Sequence, residues 1–360
     1  MIDDRAHASP ATLEDLIART IDLPVPAPVR LLTEEARKRH QKGRGVAAVL
    51  AYGSTLREAS PEESLVDLYV LTFDSTAISD NPLSRLGCRL LPPNVYYLEV
   101  KEETAQGPRT WRAKYACLTL DQFTARMQDK VRNPYFWARF SQPSRLVWTQ
   151  DEAVREQVIS ALATAVRTML TFARRLASDS ASCPDVWQKA LIATYASELR
   201  VEGPERARLI VSRNHAFMTA ACALIEQEAH ILRHAQRHTG ESRYLKPQTH
   251  EPAARAPGLR RGDEKDGTLV SNNMQDAANT PPPASLSKAA LRFMQIEGKI
   301  LSVLRLIKAA FTFAGGADYI AWKIARHTGE KIELTPFERR HPLFAAIRHL
   351  PRLLRRGAVK

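Results

Sequence analysis

The stretch Gly45-Val46-Ala47-Ala48-Val49-Leu50-Ala51-Tyr52-Gly53-Ser54, followed by Leu65-Val66-Asp67-Leu68-Tyr69-Val70-Leu71, decides how this chain is read. The first apolar run has the length and composition of a buried strand, and Gly53-Ser54 ends it abruptly. The second predicts a neighbouring strand, with Asp67 the only acid inside it. A glycine at a strand end lets the backbone approach a ligand closely, so its amide and the next one can point at phosphate oxygens. A helix opening over 55–59 would add its positive amino end. A lone carboxylate on the adjacent strand could hold Mg²⁺ against that phosphate.

Gly53, Ser54 and a strand-borne Asp67 together match the active-site layout of the nucleotidyltransferase fold. Tyr69 stands where most such sequences carry a second acid. Gly-Ser after a strand is also a common turn, so the remainder of the chain has to discriminate.

A chain of 360 residues predicts two domains. Its composition, 44% hydrophobic and 25% charged, is that of a soluble protein, but the net charge of +13 is unusual. It implies a polyanionic partner: nucleic acid, nucleotide or an acidic lipid surface. Cys88, Cys117, Cys183 and Cys222 show no CxxC spacing, which predicts neither a zinc site nor a disulfide framework and fits a reducing cytoplasm. Met1-Ile2-Asp3-Asp4-Arg5 lacks the apolar core of a targeting peptide. The best membrane-span candidate, 306–322, is too short and contains Lys308 and Asp318, so membrane contact is expected to be peripheral.

The fold class expected is α+β. Residues 1–150 read as an α/β domain with a mixed sheet: helices over 13–20 and 29–42, the two strands above, a loop over 79–93, strands over 95–100 and 111–120, and a helix capped by Asp121 running to about 131. Residues 151–238 read as an α-helical domain, with apolar residues at helical spacing over 152–177, 186–201 and 204–236. Residues 239–285, rich in Pro, Gly, Asn and Thr, read as a disordered linker or insertion. Residues 286–360 continue helically and end in a basic amphipathic tail. There Leu343, Phe344, Ile347, Leu350, Leu353 and Leu354 are interleaved with Arg348, Arg352, Arg355 and Arg356, and no acid occurs between Arg339 and Lys360. Such a tail suits an anionic membrane surface.

With these elements placed, the chain resembles the mitochondrial-type phosphatidate cytidylyltransferases of the translocator assembly and maintenance type, and their bacterial relatives. Four collinear blocks carry the likeness: Tyr52-Gly53-Ser54 with Asp67-Leu68-Tyr69; Lys114-Tyr115 with Leu118 and Leu120-Asp121; Tyr135-Phe136-Trp137-Ala138-Arg139-Phe140-Ser141-Gln142-Pro143; and Tyr195-Ala196-Ser197-Glu198-Leu199-Arg200. The segment from Lys299 to His327 is similar to that family's carboxy-terminal end. The departures are Thr55-Leu56-Arg57 where the family usually has Gly-Val-Phe, Asn81-Pro82 in place of a His-Tyr pair, and Glu198 in place of Asp.

The resemblance implies a peripheral enzyme of the cytoplasmic inner-membrane surface that converts CTP and phosphatidate into CDP-diacylglycerol and pyrophosphate with Mg²⁺. Gly53 and Ser54 would cradle the triphosphate, Asp67 would bind the metal and Lys114 would meet a phosphate. Arg139, Glu198 and Arg200 would belong to the nucleotide site, although Glu198 and Arg200 fit a salt bridge equally well. Glu99, on the third strand, is the candidate second metal ligand. The departures leave two alternatives: a nucleotidyltransferase with another acceptor, or a catalytically degenerate binder of nucleotide or membrane. Few aromatic residues interleave with the basic runs, which argues against nucleic acid as the partner.

Overall fold

The computed structural model of the chain describes residues 9–53, 56, 65–104, 107–176, 181–198, 204–241, 286–312, 321 and 334–340. Strand β1 (Val46–Tyr52) is buried along its length up to Tyr52, so both of its edges require partners. It finds them in β2 (Val66–Thr72) and β5 (Arg145–Thr149), each antiparallel to it. β2 runs parallel to β4 (Gly107–Thr119), and β3 (Asn94–Thr104) completes the sheet antiparallel to β4. The order is β3-β4-β2-β1-β5, a five-stranded mixed sheet. Together with the helices it gives the α+β architecture expected.

Helices α1 (Leu13–Ile21) and α2 (Ala27–Lys38) precede the sheet. α2 covers one face, burying Val29, Leu32 and Ala36. α4 (Leu120–Ala125) and α5 (Trp137–Phe140) cover the other, where the Phe140 ring lies 4.7 Å from both Tyr69 and Phe123. The long α6 (Glu152–Arg174) packs against α5, α4 and α1, and also reaches β1 and β5. α7 (Cys183–Tyr195), α8 (Pro204–Arg213) and α9 (His215–Glu241) follow, and their buried side chains join those of the sheet in one contiguous apolar cluster. Each fully buried aliphatic side chain in it, such as Leu50, Leu68 or Leu162, contributes about 2 kcal/mol. α3 spans Pro82–Leu90. α10 (Lys288–Thr312) packs on α3, β3 and α7, and a short α11 (Pro336–Arg340) ends the described chain.

Several boundaries depart from the sequence reading, each for a local reason. The segment expected as a loop over 79–93 contains α3, because the Asn81 side chain accepts from the Leu83 amide and Pro82 occupies the first helical turn. The helix expected to be capped by Asp121 is capped by Thr119 and is only one and a half turns long. Thr119 and Gln122 satisfy each other's backbone amides, leaving Asp121 inside the first turn. α7 stops at Tyr195, before Glu198, and the hydroxyls of Thr194 and Ser197 bond back to carbonyls of the last turn. Glu198 therefore sits just beyond the helix rather than within it. α9 continues to Glu241, so the linker begins later than 239; residues 242–285 lie outside the described part, as do the helix expected at 55–59 (Leu56 excepted) and the tail from 341. A disulfide joins Cys183 to Cys222, contrary to the reading from spacing. The pairing arises from α7 packing on α9 across 39 residues of sequence, which no short motif announces. Cys88 and Cys117 are free and buried.

The carboxyl end of α2 is tied to the sheet by His40, whose Nδ1 lies 2.7 Å from the Ala77 carbonyl oxygen and Nε2 3.1 Å from the Tyr115 hydroxyl. A carbonyl only accepts, so Nδ1 carries the proton and Nε2 accepts from Tyr115. Burial depresses the imidazole pKa below its ordinary 6.5. The unfolded chain then binds the extra proton first, so stability contributed by neutral His40 is present above pH 6.5 and is lost as pH falls below it. Urea unfolding at pH 7.5 and pH 5 should show a drop in unfolding free energy for the native chain that is smaller in His40→Asn.

Candidate functional site

The sheet register places four polar side chains in one row. Tyr52 on β1 faces Asp67 on β2, Asp67 faces Lys114 on β4, and Lys114 faces Tyr97 on β3. Ladder partners project from the same side, so the row shares the face covered by α5. Lys114 Nζ lies 3.6 Å from Asp67 Oδ1, with the two side chains 37% and 31% exposed. A pair this open and this long is weakly held and can exchange partners with an incoming anion or cation. Gly53 follows β1 with φ at +93°, a conformation that glycine adopts without strain. A β-carbon there would stand 3.4 Å from Asp67 Oδ2, so glycine keeps the carboxylate uncovered.

Two residues along β2, the wholly buried Tyr69 hydroxyl accepts from Arg139 Nη1 at 3.0 Å. Burial raises the Tyr69 phenol pKa, so it stays neutral. The Arg139 guanidinium also lies 4.5 Å from the centre of the Tyr135 ring, and its Nη2 is 3.8 Å from Glu198 Oε2. Burial works against the Arg139 charge, but Tyr69, Tyr135 and Glu198 more than offset it and hold its pKa above the ordinary value. Arg305, from α10, stacks on the same Tyr135 ring at 4.1 Å. Burial alone would raise the Tyr135 phenol; the neighbouring Arg139 and Arg305 guanidiniums draw it below the ordinary value instead.

α10 is pinned here by two side chains. Arg305 Nε donates to the Pro92 carbonyl at 3.2 Å, and Lys308 Nζ donates to Leu91 and Pro93 carbonyls at 2.6 Å and to Asn94 Oδ1 at 3.0 Å. Burial pushes the Lys308 ammonium down to about 8. Gly298 permits the approach of α10 to the end of α7, since a β-carbon there would collide with the carbonyl oxygen of Ser197.

Between α10 and the β3–β4 edge lies a cavity of ≈ 390 Å³, lined by Lys114, Tyr135, Glu198, Arg305, Leu306 and Lys308 among others. That size suits a small ligand or a headgroup. Lys114, Arg139, Arg305 and Lys308 supply four positive charges against the two carboxylates of Asp67 and Glu198, leaving an excess of two. The arrangement can hold a phosphate and neutralise charge developing on it.

Of the residues singled out from the sequence, Gly53, Asp67, Lys114, Arg139 and Glu198 come together here. Glu99 does not. It is exposed on β3, where it accepts from Tyr97 hydroxyl at 2.6 Å and Arg112 Nε at 3.0 Å. It also stands two strands from Asp67, about 10 Å at ordinary strand spacing. Ser54 and Arg200 lie outside the described residues. Among those described, no group of three or more His, Cys, Asp or Glu residues could hold a metal. Asp67 alone nevertheless fits Mg²⁺, which commonly takes one or two carboxylates and fills its shell with water and substrate phosphates. The sequence reading assigned no role to Tyr135, Arg305 or Lys308; Lys308 enters it only as a charge that disqualifies a membrane span. No protein-family model matches the chain, and no curated protein does.

Replacing Arg139 by Met removes the cation shared by Tyr69, Tyr135 and Glu198 and should lower stability by about 3 kcal/mol in chemical denaturation. Arg139→Lys should recover only part of this, because a point charge cannot serve several partners as the planar fork does. Gly298→Ala, which would gain up to about 1 kcal/mol in a free helix, should instead destabilise the chain, read as a lower melting temperature.

Proposed function

We propose that the chain is a Mg²⁺-dependent nucleotidyltransferase of the phosphatidate cytidylyltransferase type, which makes CDP-diacylglycerol and pyrophosphate from CTP and phosphatidate. The observation that carries this reading is the open Asp67–Lys114 pair beside positive-φ Gly53, at a cavity with surplus positive charge. The sheet is read as the nucleotidyltransferase type because Gly53 ends β1 and Asp67 lies on the antiparallel neighbour β2. The enzyme would work at the cytoplasmic surface of the inner membrane as a peripheral protein, a reading compatible with no helix among the described residues being long and apolar enough to cross a bilayer.

The chemistry asks little of acid–base groups. An ionised phosphate oxygen of phosphatidate attacks the α-phosphorus of CTP, the bond to the β-phosphate breaks, and pyrophosphate leaves with the electron pair. The nucleophile carries no proton to remove, so Tyr69 in place of a second acid does not block the reaction. Mg²⁺ held by Asp67 and the phosphates would supply electrostatic stabilisation of the transferring group. Lys114 offers the triphosphate a point charge once it exchanges Asp67 for the ligand. Gly53 allows the nucleotide to come close to the backbone. Arg139, already engaged by Tyr69 and Glu198, orients Tyr135 and Glu198 and sustains the positive field rather than clamping substrate.

The test is incorporation of α-labelled CTP into chloroform-extractable lipid by purified protein, Mg²⁺ and phosphatidate-containing liposomes. Native protein should yield labelled CDP-diacylglycerol. Asp67→Asn should yield none, and Lys114→Ala should lose about 100-fold in rate. No labelled lipid from native protein would overturn the reading, and screening sugar phosphates and RNA in the same assay would expose another acceptor.

A further inference from the structure

Arg305 lines the cavity with part of its hydrogen-bonding capacity unused. Arg305 places Nε on the Pro92 carbonyl, but its Nη1 is buried without a hydrogen-bond partner. An unsatisfied buried guanidinium nitrogen costs stability, and such groups call for an explanation in terms of a ligand or a functional role. Lys308 is a different case: its three donors already meet three oxygens. Among the described cavity cations on α10, Arg305 is thus the one with spare capacity, and Tyr135 stacks on its guanidinium.

The same helix carries an apolar stripe that is largely exposed among the described residues. Phe293, Ile296, Ile300, Val303, Leu304 and Ile307 recur at helical spacing and are all between 44% and 58% exposed. α3, which packs against α10 so closely that a β-carbon at Gly87 would meet the Lys308 stem at 3.4 Å, adds Leu83, Leu86 and Leu90, exposed by 75%, 50% and 71%. Apolar surface in such contiguity marks a partner or a membrane. Leu306, 63% exposed, joins the two features: it lines the cavity and stands one helical turn from Val303 on the stripe. Arg85 and Arg89 on α3 and Lys299 on α10 add positive charge around the apolar surface, which favours an anionic lipid surface over a second, equally basic copy of this chain.

We infer that the α10 cavity is the subsite for the phosphate monoester of an anionic lipid, gripped by Arg305, with the acyl chains led past Leu306 onto the apolar stripe of α10 and α3. The inference rests on the nucleotidyl-transfer reading only for the fate of that lipid. It separates the acceptor phosphate at Arg305 from the nucleotide phosphates at Gly53, Asp67 and Lys114, and makes a lipid, rather than a sugar phosphate, the fitting acceptor.

Binding needs no turnover, so it distinguishes the two readings. Calorimetric titration of the full chain would use soluble dihexanoyl phosphatidate, dihexanoyl phosphatidylcholine and glycerol 3-phosphate. Native protein should bind the phosphatidate at least about ten-fold more tightly than either control, since it alone offers both monoester and tail. Arg305→Gln should weaken phosphatidate about ten-fold while leaving CTP affinity unchanged. Leu306→Ser, an exposed change that folding tolerates, should weaken phosphatidate and leave glycerol 3-phosphate unaffected. Equal binding of phosphatidate by native protein and by both variants would overturn the subsite, as would equal binding of the three ligands. Phosphatidate binding through Arg305 without CDP-diacylglycerol formation would uphold the subsite and overturn the reaction. Formation of CDP-diacylglycerol with a phosphatidate KM unmoved in Arg305→Gln would do the reverse.

Discussion

A guanidinium taken largely out of water must be surrounded by groups that repay its lost hydration, and Arg139 imposes that demand on the centre of this molecule. Its side chain is 14% exposed, and its neighbours come from separate parts of the chain: Tyr52 and Tyr69 from the sheet, Tyr135 from the turn before α5, and Glu198 from the end of α7. Each is fixed by a partner that is itself fixed. Tyr69 is held between β1 and Phe140, Tyr135 between Arg139 and Arg305, and Glu198 follows Ser197, against which Gly298 lets α10 seat closely. Removing one partner from such a network leaves buried charge uncompensated, so its members are coupled energetically.

The network also determines what chemistry the sheet can support. With Tyr69 neutral and Glu198 engaged by Arg139, Asp67 is the one carboxylate of the strand row, and cations are in excess around it. Deprotonating a hydroxyl would call for a second acid or a base there. Transfer to a phosphate that is already ionised calls for positioning and charge neutralisation, the two things this surface can supply. The proposed lipid subsite extends the same logic, since an anionic acceptor is drawn by the same positive field and its tail needs an apolar path.

How much of this was legible in the sequence follows from how local each feature is. β1 and β2 were readable because their apolar runs are continuous, and Gly53 and Asp67 stood out as the interruptions. That Lys114 neighbours Asp67 depends on a parallel register between strands 47 residues apart and is not legible locally; the resemblance to a known family singles out Lys114 only as a phosphate-meeting residue. Arg139 and Glu198 were named for the same reason, but their mutual contact was not readable. Nor was the meeting of Arg305 and Lys308 with the turn at 91–94, which spans more than 200 residues of sequence. β5 escaped because its five residues are all only partly buried and lack clear alternation. Glu99 stands apart from Asp67 for a positional reason: β4 lies between their strands, and Arg112 and Tyr97 hold its carboxylate.

The central claim, that one face of the sheet gathers two phosphate-bearing substrates, is tested most directly by a crystal structure of the protein with CTP, Mg²⁺ and dihexanoyl phosphatidate. The triphosphate should lie over Gly53, with the metal on Asp67 and Lys114 turned to a phosphate oxygen, and the lipid phosphate on Arg305. Nucleotide bound on the α2 face of the sheet, or lipid phosphate bound away from α10, would contradict it.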